Sequence, residues 1–240
     1  MFERTKLLLS EESFNILSNS TVLVVGVGGV GSIAVEALAR SGVGKINIVD
    51  NDTIALSNLN RQVQTNYQNV GKSKVFEMVN YVKSIHPDID IEGYELFFDK
   101  SVDEIFAGVD FVIDAIDTVC NKFELIEKCH ELKIPMISSL AMGNRTDPTQ
   151  LVITSLDKTS YDPLAKVLRK MAKEKRMNTR KIKVVFSKEQ PMVQKQVINA
   201  EGLTRKQKMP PASMFIVPPA SGLACVSYCI DYLINNHAII

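Results

Sequence analysis

The chain has 240 residues, 45% of them hydrophobic and 23% charged, with a formal net charge of +1. That length suits one large α/β domain, or such a domain with an elaborated C-terminal part, and the charge balance alone points to no class of partner. No apolar run approaches the roughly 18 residues of a membrane span. The N-terminus, MFERTKLLLSEE, mixes charges into its apolar residues and has no signal-peptide core, so a cytoplasmic protein without a membrane partner is expected.

Residues 2–18 read as two short helical pieces, the second capped by Ser10 with Glu11, Glu12 and Ser13 in its first turn. TVLVVG (21–26) is a continuous apolar run of the kind a buried parallel strand shows. Residues 30–42 have helical periodicity and stop at Gly42, and KINIVD (45–50) is the next strand. The polar stretch 51–69 reads as a long, functional loop. A helix over 71–87 ends at Pro87, and an alternating strand follows over 89–96. Then come a short helix (101–107), a buried strand (109–116), a helix (119–132) and a strand (134–140).

The alternation predicts a Rossmann-like, doubly wound, mostly parallel sheet. Beyond residue 140 the character changes: a strand over 150–156, a helix over 163–176 started by Pro163, and a strand over 182–187. A polar, Pro-containing crossover over 188–212 then leads to a largely apolar helix over 218–235. One domain is expected, with 1–140 binding nucleotide and 141–240 forming an elaborated C-terminal α/β part that takes the substrate.

The four cysteines, Cys120, Cys129, Cys225 and Cys229, form no CxxC pair, which argues against a zinc knuckle. Cys225 and Cys229 lie four apart on the apolar helix and are expected in the core. Basic residues concentrate in 166–183, including Arg169, Lys170 and Lys173, with Arg205, Lys206 and Lys208 as a second cluster. Such runs either are solvated faces or contact phosphates.

Gly26, Gly28, Gly29 and Gly31 make GVGGVG between the first strand and its helix. Small residues there let the backbone approach a phosphate, and the helix N-terminus turns its N–H groups toward the anion. Asp50 ends the second strand, where a carboxylate accepts ribose hydroxyls. These features do not separate NAD from ATP. The following text, DNDTIALSNLNRQ over 50–62 and VGKSK over 70–74, does. It brings Asn58, Arg61 and Lys74 toward the glycine loop, with Gln62 beside them. Two cations there suit the charge that develops on a departing pyrophosphate better than a dinucleotide. Asp52 either caps a turn or orients Asp50. Asp117, at the end of the fourth strand in DAID, is placed to hold Mg²⁺ across the phosphates, whereas Asp114 serves structure as readily as function.

GVGGVGS, the D-x-D-x-x-x-x-S-N-x-N-R-Q phrase, VGKSK and DAID together resemble the ubiquitin-activating-enzyme-like adenylyltransferases, over residues 4–140. The resemblance implies a homodimer that uses ATP and Mg²⁺. Asp50 would lie on the ribose, Asn58, Arg61 and Lys74 on the phosphates and Asp117 on the metal, with Arg4 reaching into the partner subunit's site. The segments 141–150, 157–170 and 183–187 are similar to the tRNA threonylcarbamoyladenosine dehydratases, which extends the resemblance over most of the chain. It implies ATP-dependent cyclisation of that modified nucleoside in tRNA, with Arg169, Lys170 and Lys173 holding tRNA phosphates. It also allows a monovalent cation near 139–148, a sulfur-relay partner, and a catalytic thiol, for which Cys120 is the candidate. His86, His130 and His237 form no catalytic arrangement and are expected to be structural or exposed. The competing readings are an activator of a ubiquitin-like sulfur carrier, an NAD-dependent oxidoreductase, and a non-catalytic nucleotide sensor.

Overall fold

The computed structural model describes residues 1–195 and 211–237. Much of the expected crossover, the cluster Arg205, Lys206 and Lys208, and the His237 side chain lie outside the described residues. In chain order the helices and strands are α1 (Glu3–Leu9), α2 (Glu11–Ser18), β1 (Thr21–Val25), α3 (Gly31–Ser41), β2 (Lys45–Val49), α4 (Lys74–Ile85) and β3 (Asp90–Tyr94). They continue with β4 (Phe111–Asp114), α5 (Val119–Leu132), β5 (Met136–Ser139), β6 (Leu151–Ser155), α6 (Pro163–Glu174), β7 (Lys183–Ser187) and α7 (Val217–His237).

All seven strands join one sheet in the order β3-β2-β1-β4-β5-β7-β6. Every pairing is parallel except β6 with β7. The C-terminal half of the chain therefore extends the sheet of the N-terminal half. The order reverses between β1 and β4, and in open α/β sheets a ligand crevice forms at such a switch point, outside the carboxyl ends of the strands.

The local sequence explains the elements. α3 buries Ser32, Ala34, Val35, Leu38 and Ala39, a stripe at helical spacing. It ends at Gly42, whose left-handed backbone donates its N–H to the Leu38 carbonyl. Ser10 caps α2 through Ser13 N–H at 3.3 Å. Pro163 opens α6 while the Asp162 carboxylate accepts Ala165 N–H at 2.9 Å.

The expectation that no segment is long and apolar enough to span a membrane needs correction. Val217–Asn236, within α7, passes by length and composition, with mean hydropathy 1.2, and half of that window is buried. The helix packs on α3 and β5. Cys225, Val226, Cys229 and Leu233 are in the core, and Tyr232 meets Phe111 at 5.4 Å between ring centres. The apolar character of α7 thus belongs to a core helix. Burial pushes the Cys225 thiol up to about 12 and also raises Cys129 and Cys229, as inert core thiols require.

Candidate active site

The ends of β1, β2, β3, β4, β5 and β7 open on one side of the sheet onto a cleft of about 980 Å³. Gly26, Gly28, Gly29, Asp50, Asp52, Asn58, Arg61, Gln62, Lys74 and Asp117 all line it.

The glycines have different tasks. Gly26 has φ +94° and donates to the Val49 carbonyl at 2.8 Å; a Cβ on it would lie 2.8 Å from the Ala115 carbonyl oxygen. A Cβ on Gly31 would collide with the Gly26 carbonyl oxygen. These two glycines shape the turn by packing backbone on backbone, and Gly31 does not line the cleft. A Cβ on Gly28 would meet nothing within 4 Å, and one on Gly29 would press on the Arg61 side chain at 3.2 Å. Gly28 and Gly29 are the two that line the cleft beside the N-terminus of α3 without packing on neighbouring backbone.

Asp50 is held rigidly. Its carboxylate accepts Val27 N–H at 2.7 Å and Asp52 N–H at 2.9 Å. Burial raises its pKa, against the pull of Lys74 and of these two N–H donors. Lys74, buried in the first turn of α4, places Nζ 2.6 Å from Asp52 and 4.0 Å from Asp50. Asp52 therefore donates its N–H to Asp50, and its carboxylate pairs with Lys74, a contact the sequence reading did not include. Asn58 is buried, and its side-chain oxygen accepts Ala55 N–H at 3.0 Å. Arg61 donates to the Ser57 carbonyl at 2.7 Å and to Asn60 at 3.0 Å. Burial lowers its pKa, partly offset by the facing Asp117. The buried Oε1 of Gln62 has no hydrogen-bond partner. Asp117 is exposed at the lip and accepts from the Thr118 hydroxyl at 3.3 Å. Among the described residues no group of three or more His, Cys, Asp or Glu side chains is arranged for a metal.

Arg4 is exposed on α1 and does not line the cleft of its own protomer. Cys120 is exposed and is also absent from the lining. His86 stacks edge-on against Phe2 at 5.3 Å, and His130 is exposed on α5. Of the three basic residues on α6, Lys170 and Lys173 are exposed. Arg169 instead turns back and donates to the Thr159 hydroxyl and, at 3.2 Å, to the Thr159 carbonyl. In the loop 139–148 the cation on the carbonyls is the chain's own. Arg145 donates to Ala141 O and, at 3.5 Å, to Gly143 O.

Several cleft elements escaped the sequence reading. Leu96, Phe97 and Phe98, after β3, form an apolar wall beyond Asp50. Lys122 is fully buried, with Nζ 2.7 Å from Asp114, 3.1 Å from the Ser138 hydroxyl and 2.8 Å from the Ser139 carbonyl. Asp114 also accepts Ile116 N–H at 3.0 Å, which fixes the turn leading to Asp117. The Asp114 carboxylate is thus a floor beneath the site. Its clue in the sequence is a lone lysine on the apolar stripe of α5.

The ThiF family model matches residues 3–237. The chain is 42% identical over 242 residues to the tRNA threonylcarbamoyladenosine dehydratase of Bacillus subtilis, covering 98% of this chain and 95% of that protein. The crystal structure of the Escherichia coli tRNA N6-threonylcarbamoyladenosine dehydratase in complex with ATP superposes with a TM-score of 0.88 at 31% identity, covering 99% of this chain and 95% of that one. The SAMP-activating enzyme E1 of Haloferax volcanii is 39% identical, but over 137 residues, 57% of this chain and 51% of that protein.

Proposed function

The chain belongs to the ThiF family, and from that premise we propose that it is an ATP-dependent tRNA threonylcarbamoyladenosine dehydratase that works by adenylating the threonine carboxylate. The observation that carries this reading is the convergence of the glycine turn, Asp50, Asn58, Arg61, Lys74 and Asp117 on one cleft. The near full-length similarity to the Bacillus enzyme supports it.

ATP fits the cleft with its adenine against Leu96, Phe97 and Phe98, its ribose on Asp50, and its phosphates over Gly28 and Gly29. A carboxylate alone is a poor electrophile, since its leaving group would be oxide. Its oxygen attacks the α-phosphorus of ATP, and pyrophosphate leaves. Arg61 and Lys74 neutralise the charge that grows on pyrophosphate, and Asn58 and Gln62 add polar contacts without charge. Asp117 would hold Mg²⁺, which would supply neutralisation of phosphate charge. A nitrogen or oxygen of the same threonylcarbamoyl group then attacks the activated carbonyl, AMP leaves, and a ring closes. The sum is loss of one water from the nucleoside and conversion of ATP to AMP and pyrophosphate. The second step is intramolecular, so positioning supplies much of the rate, and no Ser/His/Asp triad is required.

Residues 1–140 supply the nucleotide half, and residues 141–240 supply the substrate half of one adenylating domain. A cytoplasmic homodimer completes the reading, with Arg4 of one protomer serving the partner's cleft. A monovalent cation near 139–148 would have to share carbonyls with Arg145, and the adenylation chemistry does not call for one. The test is AMP release from ATP and Mg²⁺ with tRNA that carries or lacks threonylcarbamoyladenosine, followed by mass analysis of the nucleosides. AMP formed only with the modified tRNA, together with loss of one water from the base, is the expected result. No AMP and no mass change would discard it. ATP–pyrophosphate exchange that depends on a ubiquitin-like carrier, with any sulfur relay attached to it, would then replace it.

A further inference from the structure

The cleft is longer than a nucleotide site centred on the glycine turn. Beyond Gly29 and Arg61, on the side away from Asp50, it continues past the ends of β5 and β7 into a compartment lined by Met142, Leu164, Val167, Met192, Val193 and Pro211. Three of these are too exposed for apolar side chains with no further duty: Val167 at 43%, Met192 at 57% and Val193 at 86%. The compartment is nevertheless firmly built. Asn144, with φ +60°, accepts Met192 N–H at 2.8 Å on its carbonyl and Ala212 N–H at 2.9 Å on its side chain. Its own N–H goes to the Ala212 carbonyl at 2.6 Å. One residue thus clips two distant segments into facing walls. Beneath it, buried Arg145 donates to Glu189 O at 3.1 Å, and the Glu189 carboxylate accepts Thr146 N–H and Asp147 N–H at 3.0 Å each.

Charge lies beside this compartment. On α6, Leu164 and Val167 face the cleft, while Lys166, Lys170 and Lys173 are exposed. Lys170 is the i+3 neighbour of Val167 and flanks the apolar compartment, 3.9 Å from Glu174, while Lys166 and Lys173 lie further round the outer face of α6. A polyanion lying on these lysines would present its bases to the opening.

Resting on the function proposed above, we infer that this distal compartment is the base-binding subsite of the substrate. It receives the purine of threonylcarbamoyladenosine, unstacked from the tRNA loop, while the exposed lysines of α6 hold flanking phosphates. Enzymes that act on a base take it out of the stack, and RNA loops offer bases that splay out onto apolar or aromatic surfaces. The two ends of the cleft then hold two purines, ATP's against Leu96–Phe98 and the substrate's against Val167 and Met192. The threonine carboxylate lies between them, over the phosphate turn.

The experiment measures binding of the free nucleoside N6-threonylcarbamoyladenosine, and of adenosine, with AMP saturating the nucleotide end. Wild-type protein should bind the modified nucleoside more tightly than adenosine. Val167→Asp and Met192→Asp should each weaken it by about ten- to a hundredfold, as loss of one apolar wall predicts, and leave AMP affinity unchanged. Lys170→Glu with Lys173→Glu should weaken modified and unmodified tRNA alike, flatten the salt dependence, and leave nucleoside binding unchanged. Equal binding of the modified nucleoside and adenosine by the wild type would overturn the inference. So would wild-type nucleoside affinity in both apolar variants. Nucleoside binding that behaves as expected in a protein that makes no AMP would uphold the subsite and remove the adenylation reading.

Discussion

The two ends of the cleft are built on opposite plans. The nucleotide end comes from short consecutive pieces, each hanging from the end of a strand, and its charges are matched nearby. Lys74 meets Asp52 at 2.6 Å, and Asp52 lends its N–H to Asp50, two residues away. The distal end comes from segments far apart in the chain, gathered by buried polar groups. Asn144 reaches Ala212, and Arg145 reaches Glu189 and sits 3.7 Å from Asp162. The lesson is that charge at the nucleotide end is paired among groups that themselves line the cleft, and buried charge at the distal end ties the walls to groups behind them.

That contrast is open to test, the largest effect first. Arg145→Met strips Asp162 of its cation and the Ala141 and Gly143 carbonyls of their donor. It should cost about 3–5 kcal/mol, as breaking a buried pair does, a large share of a domain's total stability. Denaturant unfolding measures it, and a loss below about 1 kcal/mol would remove the structural role given to Arg145. Arg61→Ala should lower the rate of AMP formation by about a hundred- to a thousandfold while costing stability only about 1 kcal/mol. Unfolding as severe as that of the Arg145 variant would erase the distinction between the two ends.

The smallest effect is in pH. Burial holds the Asp50 carboxyl above its ordinary 3.8, so the folded state favours its protonated form. Any stabilisation from that form is complete below the ordinary value and lost as pH rises through the raised one. Nucleotide binding runs the other way, because the ribose hydroxyls need a charged acceptor. AMP affinity should therefore fall on acidification at a pH above that of an ordinary aspartate, and Asp50→Asn should bind weakly without that step. Titration of AMP binding against pH in the two proteins checks it.

The difference between the ends also explains what the sequence made readable. Gly26, Gly28, Gly29, Asp50, Asn58 and Arg61 follow strand ends at regular spacing, so the sequence pattern points them to one cleft, which all of them line. Ser10, Gly42 and Pro163 announce their helix ends for the same reason. The antiparallel edge strand β6 carries no local mark that separates it from a parallel one. Arg169 reads as one more cation in a basic run, because only the fold reveals the Thr159 hydroxyl behind it. Lys122 drew no reading of its own, since its place on the apolar stripe of α5 marks it as unusual but nothing nearby in sequence predicts Asp114, Ser138 and Ser139 around its ammonium. Leu96 ends the expected strand and Phe97 and Phe98 drew no reading, because what faces them is set by strand order.

The Ser139 hydroxyl touches that of Ser221 at 2.8 Å. Through this contact α7, the last helix of the chain, joins the network around Lys122. Loosening α7 would expose a charged pair that the sheet has closed off from water, so the helix cannot fray independently of the strands whose ends form the cleft. Backbone amides in α7 and in β4 and β5 should then exchange with solvent as one cooperative unit. Under that coupling a nucleotide bound at the carboxyl ends of the strands, where Pro218 at the start of α7 lines the cleft, would slow exchange along the rest of that helix.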